Sequence, residues 1–116
     1  MIIYRVENPD TEQGLWYRQD ATFNPFIRQL TKAKCRDLPM EFDELYSAEG
    51  KAWYSGTDSI AQMQDWLPWQ DLVELQHLGY GLYEYDVHEW KHVPGHIIYT
   101  REAIIASRQL PMEVLK

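Results

Sequence analysis

Residues 80–87, YGLYEYDV, alternate: Tyr83, Tyr85 and Val87 fall on one side, and Leu82, Glu84 and Asp86 on the other. A two-residue repeat is the period of a pleated strand, whose successive side chains point to opposite faces. It is the clearest strand in the chain. Its backbone groups need hydrogen-bonding neighbours, so the rest of the sequence must supply other strands.

Candidates lie at both ends. IIYRVE, 2–7, is a β-rich stretch cut off by the turn signal Asn8-Pro9-Asp10. AWYS, 52–55, is a short apolar strand, and HIIYT and AIIASRQL read as two further strands joined through REA. Between them lie helical signals. Thr57, Asp58 or Ser59 can cap a helix whose core stripe is Ile60, Met63, Trp66 and Leu67. Pro68 breaks that helix and starts the next, WQDLVELQHL, with Leu72, Val73 and Gln76 at helical spacing and Gly79 as its stop. Earlier, GLWY at 14–17 reads as a short strand or ordered loop, and Pro25 opens a helix with Phe26, Leu30 and Ala33 on one side. Residues 35–50, CRDLPMEFDELYSAEG, form a long excursion around Pro39 that ends at Gly50. The order of strand, helices and then a run of strands is α+β.

The length of 116 residues allows one domain, residues 1–116, with a single core. An apolar share of 45% with 14% aromatics is that of a folded chain and not of a disordered one. There is no run of 18 apolar residues and the N-terminus MIIYRVENPD is no signal peptide, so the expectation is a cytoplasmic protein without a membrane span. Cys35 stands alone, which excludes an internal disulfide and a four-cysteine metal site. Eighteen acidic against eleven basic residues, a formal −7, argues against direct nucleic-acid binding, which needs a basic stripe. The same charge admits a basic protein partner and also serves solubility.

The segment HEWKH, 88–92, fits the zinc pattern H-E-x-x-H with His88, Glu89 and His92, and Gly95 suits its longer form. The third ligand of that form would fall on Ile98. A helix squeezed between the tyrosine-rich strand and Pro94-Gly95 would be marginal. The expectation is therefore no metal, with His88 and His92 facing solvent in a strand connection.

Three separated stretches line up with a known family. YRVE puts an aromatic-Arg pair on the first strand, WYSGT ends another strand just before a helix, and GHIIYTREAII is a late strand led by a glycine. This succession resembles the ADP-ribosyltransferases, whose compact phage-encoded members include an anti-CRISPR transferase. The resemblance implies an α+β fold with a split antiparallel sheet and two short helices in the middle. It also implies NAD as substrate and a host protein as target. Arg5 would contact the ribose or phosphate of NAD, a task that suits a planar guanidinium. Ser55 and Thr57 would brace the nicotinamide ribose, Tyr54 would stack on nicotinamide, and Tyr4 would flank the same site.

One position departs from the pattern. Where the family places its glutamate, after Gly95, this chain has His96. A carboxylate there stabilises an oxocarbenium-like ribose, and an imidazole brings no negative charge. Either another acid serves, with Glu102, Glu7 and Glu84 as candidates, or the fold is kept for binding alone. The second option is a non-catalytic acidic interaction protein, such as a phage inhibitor of a host defence or nucleic-acid-processing complex. Plainer roles stand beside these: Arg5 pairing with a carboxylate, Trp53 and Tyr54 in the core, and Ser55 and Thr57 as a helix cap. Trp16, Trp66, Trp69 and Trp90 read as core or partner-surface aromatics, with Trp69, directly after Pro68, the candidate for an exposed anchor.

Overall fold

The computed structural model describes residues 1–10, 53–93 and 96–116, with Val93 and His96 placed by their backbone only. GLWY, the Pro25-led helix and the 35–50 excursion lie outside the described residues. The elements are β1 (Ile2–Glu7), β2 (Trp53–Gly56), α1 (Ile60–Trp66), α2 (Trp69–His77), β3 (Gly81–Val87), β4 (Lys91–Val93), β5 (His96–Thr100) and β6 (Ile104–Leu110). Short 3-10 turns come after β5 and β6, at Arg101–Ala103 and Met112–Leu115. The fold is α+β.

The strands form two three-stranded antiparallel sheets, ordered β1-β3-β6 and β2-β5-β4. One isolated antiparallel bridge joins them: Tyr4 N–H donates to the Thr57 carbonyl at 2.8 Å and Thr57 N–H to the Tyr4 carbonyl at 2.9 Å. The sheet is thus split, and β1 and the end of β2 meet at the seam.

Alternation explains why the first sheet sits between two cores. Val6 and Leu82 point into a cluster with Met63, Trp66, Leu67, Leu72, Leu75 and Tyr80, under the two helices. Ile3, Tyr85 and Val87 point the other way, onto Ile97 and Tyr99 of β5. A period of two serves both faces at once. The split also separates the two roles of β3 that its sequence pattern announced.

The helix boundaries obey local chemistry. Ser59 caps α1, its hydroxyl accepting from Gln62 N–H at 3.1 Å. Replacing Ser59 with alanine should cost about 1 kcal/mol, read as a lower midpoint of chemical unfolding; an unchanged midpoint would remove the cap from the account. At the other end of the helical pair, Gly79 adopts φ 91°. Its N–H donates to the Gln76 carbonyl at 3.1 Å, and Tyr80 N–H to the Leu75 carbonyl at 2.9 Å, which closes α2 in a Schellman motif.

The stripe expected on α2 needs correction. Leu72 and Leu75 are its buried apolar residues, while Val73 and Gln76 are exposed. Adjacent Leu72 and Val73 lie about 100° apart around a helix, and the i, i+3 pair Leu72–Leu75 takes the core side. Trp69 is half-buried against the helical core, with Lys116 Nζ 5.5 Å from its ring centroid, so it is not a bare exposed anchor. Trp66 is core, and Trp90 is exposed. Among the described residues, no helix is long and apolar enough to cross a membrane.

Candidate functional site at the seam

The odd-numbered residues of β1 share a face: Ile3, Arg5 and Glu7 stand opposite Tyr85, Tyr83 and Gly81 of β3. Across the inter-sheet space, Tyr54 of β2 pairs in register with Tyr99 of β5. Arg101 opens the 3-10 turn that leaves β5. These elements bring two arginines, one glutamate and a group of tyrosines into one buried cluster.

Glu7 is its centre, at 1% exposure. Its carboxylate accepts from Arg5 Nε at 3.1 Å, from Arg101 Nη2 and from the Tyr85 hydroxyl. Arg101 Nη1 also donates to the Tyr85 hydroxyl oxygen at 3.2 Å. Arg5 is buried at 7% exposure and its Nη1 donates to the Ser55 carbonyl at 2.7 Å, tying β1 to β2. Both guanidiniums lie against the Tyr54 ring, 5.3 Å (Arg5) and 5.0 Å (Arg101) from its centroid, within cation–π range. Arg101 is also 5.3 Å from the Tyr85 centroid.

The electrostatics stem from burial and these pairings. Burial, and then the hydrogen bond to Glu7, push the Tyr85 phenol up to about 12, so it remains a neutral donor. Burial pushes Tyr99 up as well. Its hydroxyl is fully enclosed and has no hydrogen-bond partner among the described residues. Burial by itself would lower Arg101, but the Tyr85 hydrogen bond and the Glu7 charge outweigh it and hold the guanidinium above its ordinary value. Tyr83 is raised by burial and by the charges of Glu7 and Asp10.

Of the residues singled out in the sequence, Arg5 and Ser55 meet, though through the serine's carbonyl. Tyr54 joins them through its ring. A small cleft lined by Arg5, Val6, Ser55, Met63, Trp66 and Leu67 lies on the side of the helical core, and Tyr54, Glu7, Arg101 and Tyr99 do not line it. Thr57 is fully buried and its hydroxyl donates to the Ser59 carbonyl at 3.0 Å, bracing the entry to α1. Tyr4 packs toward the helical core, and its backbone forms the bridge to Thr57. His96 opens β5 opposite Val93, one residue before the Ile97–Gly56 pair. Among the three candidate acids, Glu7 alone joins Arg5: Glu84 pairs with Arg108 at 2.6 Å, and Glu102 is exposed.

The zinc spacing has no helix to carry it. His88 and Glu89 lie in the connection after β3, His92 lies in the extended β4, and both histidines are exposed. From His88 to His92 the chain runs through this connection into β4, so no helical turn brings the two imidazoles onto one face as the metalloprotease motif requires.

Arg101, Tyr85 and Tyr99 were not foreseen as site residues. Tyr85 and Tyr99 carried a signal, since each lies on an alternating or aromatic strand face. Arg101 lies 94 residues from its carboxylate partner, and no local pattern announces it.

Comparisons with curated proteins and with solved structures found no match. A match over residues 1–113, nearly the whole chain, shows that the protein belongs to the phage family described as Bacteriophage T4 Y00F protein.

Proposed function

We propose that this phage protein is an ADP-ribosyltransferase-type domain that takes NAD at the seam between its sheets and acts on a host protein. One observation carries the reading. Arg5 and Ser55, fifty positions apart and selected together by family resemblance, are joined by a 2.7 Å hydrogen bond at the split of an antiparallel sheet. The residues suit such a substrate. A guanidinium matches phosphate oxygens, the Tyr54 ring offers a stacking surface, and the enclosed Tyr99 hydroxyl is a donor without a partner among the described residues. Arg5 would hold phosphate or ribose, Tyr54 would stack on nicotinamide, and Ser55 would form the wall between them.

The acid is the weak point. Glu7 is the carboxylate beside Arg5, but two guanidiniums counter its charge. A countered carboxylate does little for a cationic ribose. This favours the second reading, a non-catalytic acidic interaction protein that keeps the frame and binds a host partner.

Calorimetry with NAD and label transfer from tagged NAD in a host lysate separate the two. The first reading expects NAD binding that Arg5→Lys weakens by about tenfold or more, because an ammonium loses the planar fork, with folding verified by circular dichroism. No heat and no label transfer would refute it. The second expects host-protein capture that survives Arg5→Lys and is lost on reversing exposed acidic charges.

A further inference from the structure

Backbone hydrogen bonds fix which way each residue of the first sheet points. In an antiparallel ladder, successive residues turn their N–H and C=O groups to opposite sides of the strand. Tyr4 gives both of its groups to Thr57, so Ile3 and Arg5 turn theirs inward, to Tyr85 and Tyr83 of β3. Val87 N–H donates to the Met1 carbonyl at 2.9 Å, which sets the same phase for β3. The odd residues of β3 thus serve β1, and Leu82, Glu84 and Asp86 serve β6. Their partners there are Leu110, Arg108 and Ala106. The alternate residues of β6, Ser107 and Gln109, direct their N–H and C=O groups away from the sheet. No further strand lies on that side among the described residues.

This edge is open to pairing. β6 is seven residues long, and Ile105 through Gln109 are exposed. An edge of this length is ordinarily guarded by lysine, proline, a bulge or a covering element. The register shift at Asp86/Val87 falls at its start and leaves Ala106–Leu110 regular. Its one charge, Arg108, is held by Glu84 at 2.6 Å. By contrast β4, at the end of the second sheet, is three residues long and includes Lys91.

The strand is also complementary to itself. Turned end for end about Ser107, it sets Ser107 against Ser107, Ala106 against Arg108 and Ile105 against Gln109. No charge directly meets a like charge, and each Arg108 keeps its own Glu84. Pairing also covers Ile105, which is 65% exposed. We propose that a second copy of this chain docks on β6, strand against antiparallel strand, about a two-fold axis at Ser107. The two sheets then run as one, β1-β3-β6-β6-β3-β1, whether or not the seam takes NAD.

Sedimentation equilibrium across the micromolar range should show the mass rising from 13.8 kDa toward twice that value. Charge placed on the axis tests the register, since side chains directly opposite lie about 5 Å apart. Ser107→Lys alone and Ser107→Glu alone should each stay at single-chain mass, and an equimolar mixture of the two should regain the doubled mass. Ser107→Pro should abolish pairing with an unchanged circular dichroism spectrum, because the N–H it removes faces outward. Hydrogen exchange reads the edge itself: concentrating the wild type should protect the Ser107 and Gln109 amides, and dilution should expose them. A wild type that stays at single-chain mass overturns the proposal and leaves this edge to a strand of another protein. A dimer that persists in both charged variants, or that forms while the two amides stay unprotected, puts the interface elsewhere and overturns it as well.

Discussion

Replacing Glu7 with alanine should lower the unfolding free energy by about 3–5 kcal/mol, the usual cost of removing one partner from a buried ion pair. Domains of this kind hold only about 5–15 kcal/mol in total, so the variant would be near the edge of folding. The carboxylate is 1% exposed and accepts from Arg5, Arg101 and Tyr85. Without it, two guanidiniums face each other beside the Tyr54 ring, and the Tyr85 hydroxyl loses its acceptor. Arg5 does not escape easily, because it is 7% exposed and anchored to the Ser55 carbonyl.

A second variant separates charge from packing. Replacing the triad together, by Arg5→Met, Glu7→Leu and Arg101→Met, should recover most of the loss, since an apolar cluster of similar volume carries no desolvation cost. Urea unfolding of the two variants beside the wild type reads both effects. A Glu7→Ala midpoint equal to the wild type would show that the triad does not hold the sheets together. A triple variant no more stable than Glu7→Ala would show that the loss comes from packing and not from stranded charge.

The alternation in YGLYEYDV located β3 because one strand faces two cores, and a period of two is visible wherever both faces are selected. β5, β6 and the break between the helices at Pro68 were equally legible, since apolar runs bounded by Gly, Pro and capping residues are local signals, whereas β4 lies where the sequence reads as a strand connection. The core side of α2 was missed. The expected stripe of Leu72, Val73 and Gln76 passed over Leu75, the apolar i+3 partner of Leu72 that packs on the core. The candidate site divides in the same way. Arg5 and Ser55 were found from resemblance, but the identity of the carboxylate was not, because Glu7, Glu84 and Glu102 look alike in sequence. Register decides among them: Glu7 shares a face with Arg5, and Glu84 faces Arg108 across the sheet. Arg101 enters from a turn at the far end of the chain, and a contact spanning 94 positions leaves no periodic trace.

Valine in place of Gly56 should cost about 3 kcal/mol or more, at the upper end of overpacking effects, because its contacts include backbone. A β-carbon there would overlap Ile3 Cγ2 and stand 2.8 Å from the Tyr4 carbonyl oxygen. The first neighbour is a fully buried core side chain. The second is fixed more firmly, since that carbonyl accepts from Thr57 N–H at 2.9 Å in the single bridge between the sheets among the described residues. Neither can retreat without opening the seam. Gly81 gives the contrast within one molecule. There a β-carbon would meet the flexible end of Gln109 at 3.0 Å and the Tyr83 ring at 3.2 Å, and both are side chains. Gly81→Ala should therefore be milder than Gly56→Ala, and Gly56→Val the most severe of the three. Hydrogen exchange at the Tyr4 and Thr57 amides reads the mechanism directly, since only a seam defect accelerates those two in particular. If Gly56→Val melts with the wild type, or weakens the fold while both amides stay protected, close approach at the seam is not what requires glycine at this position.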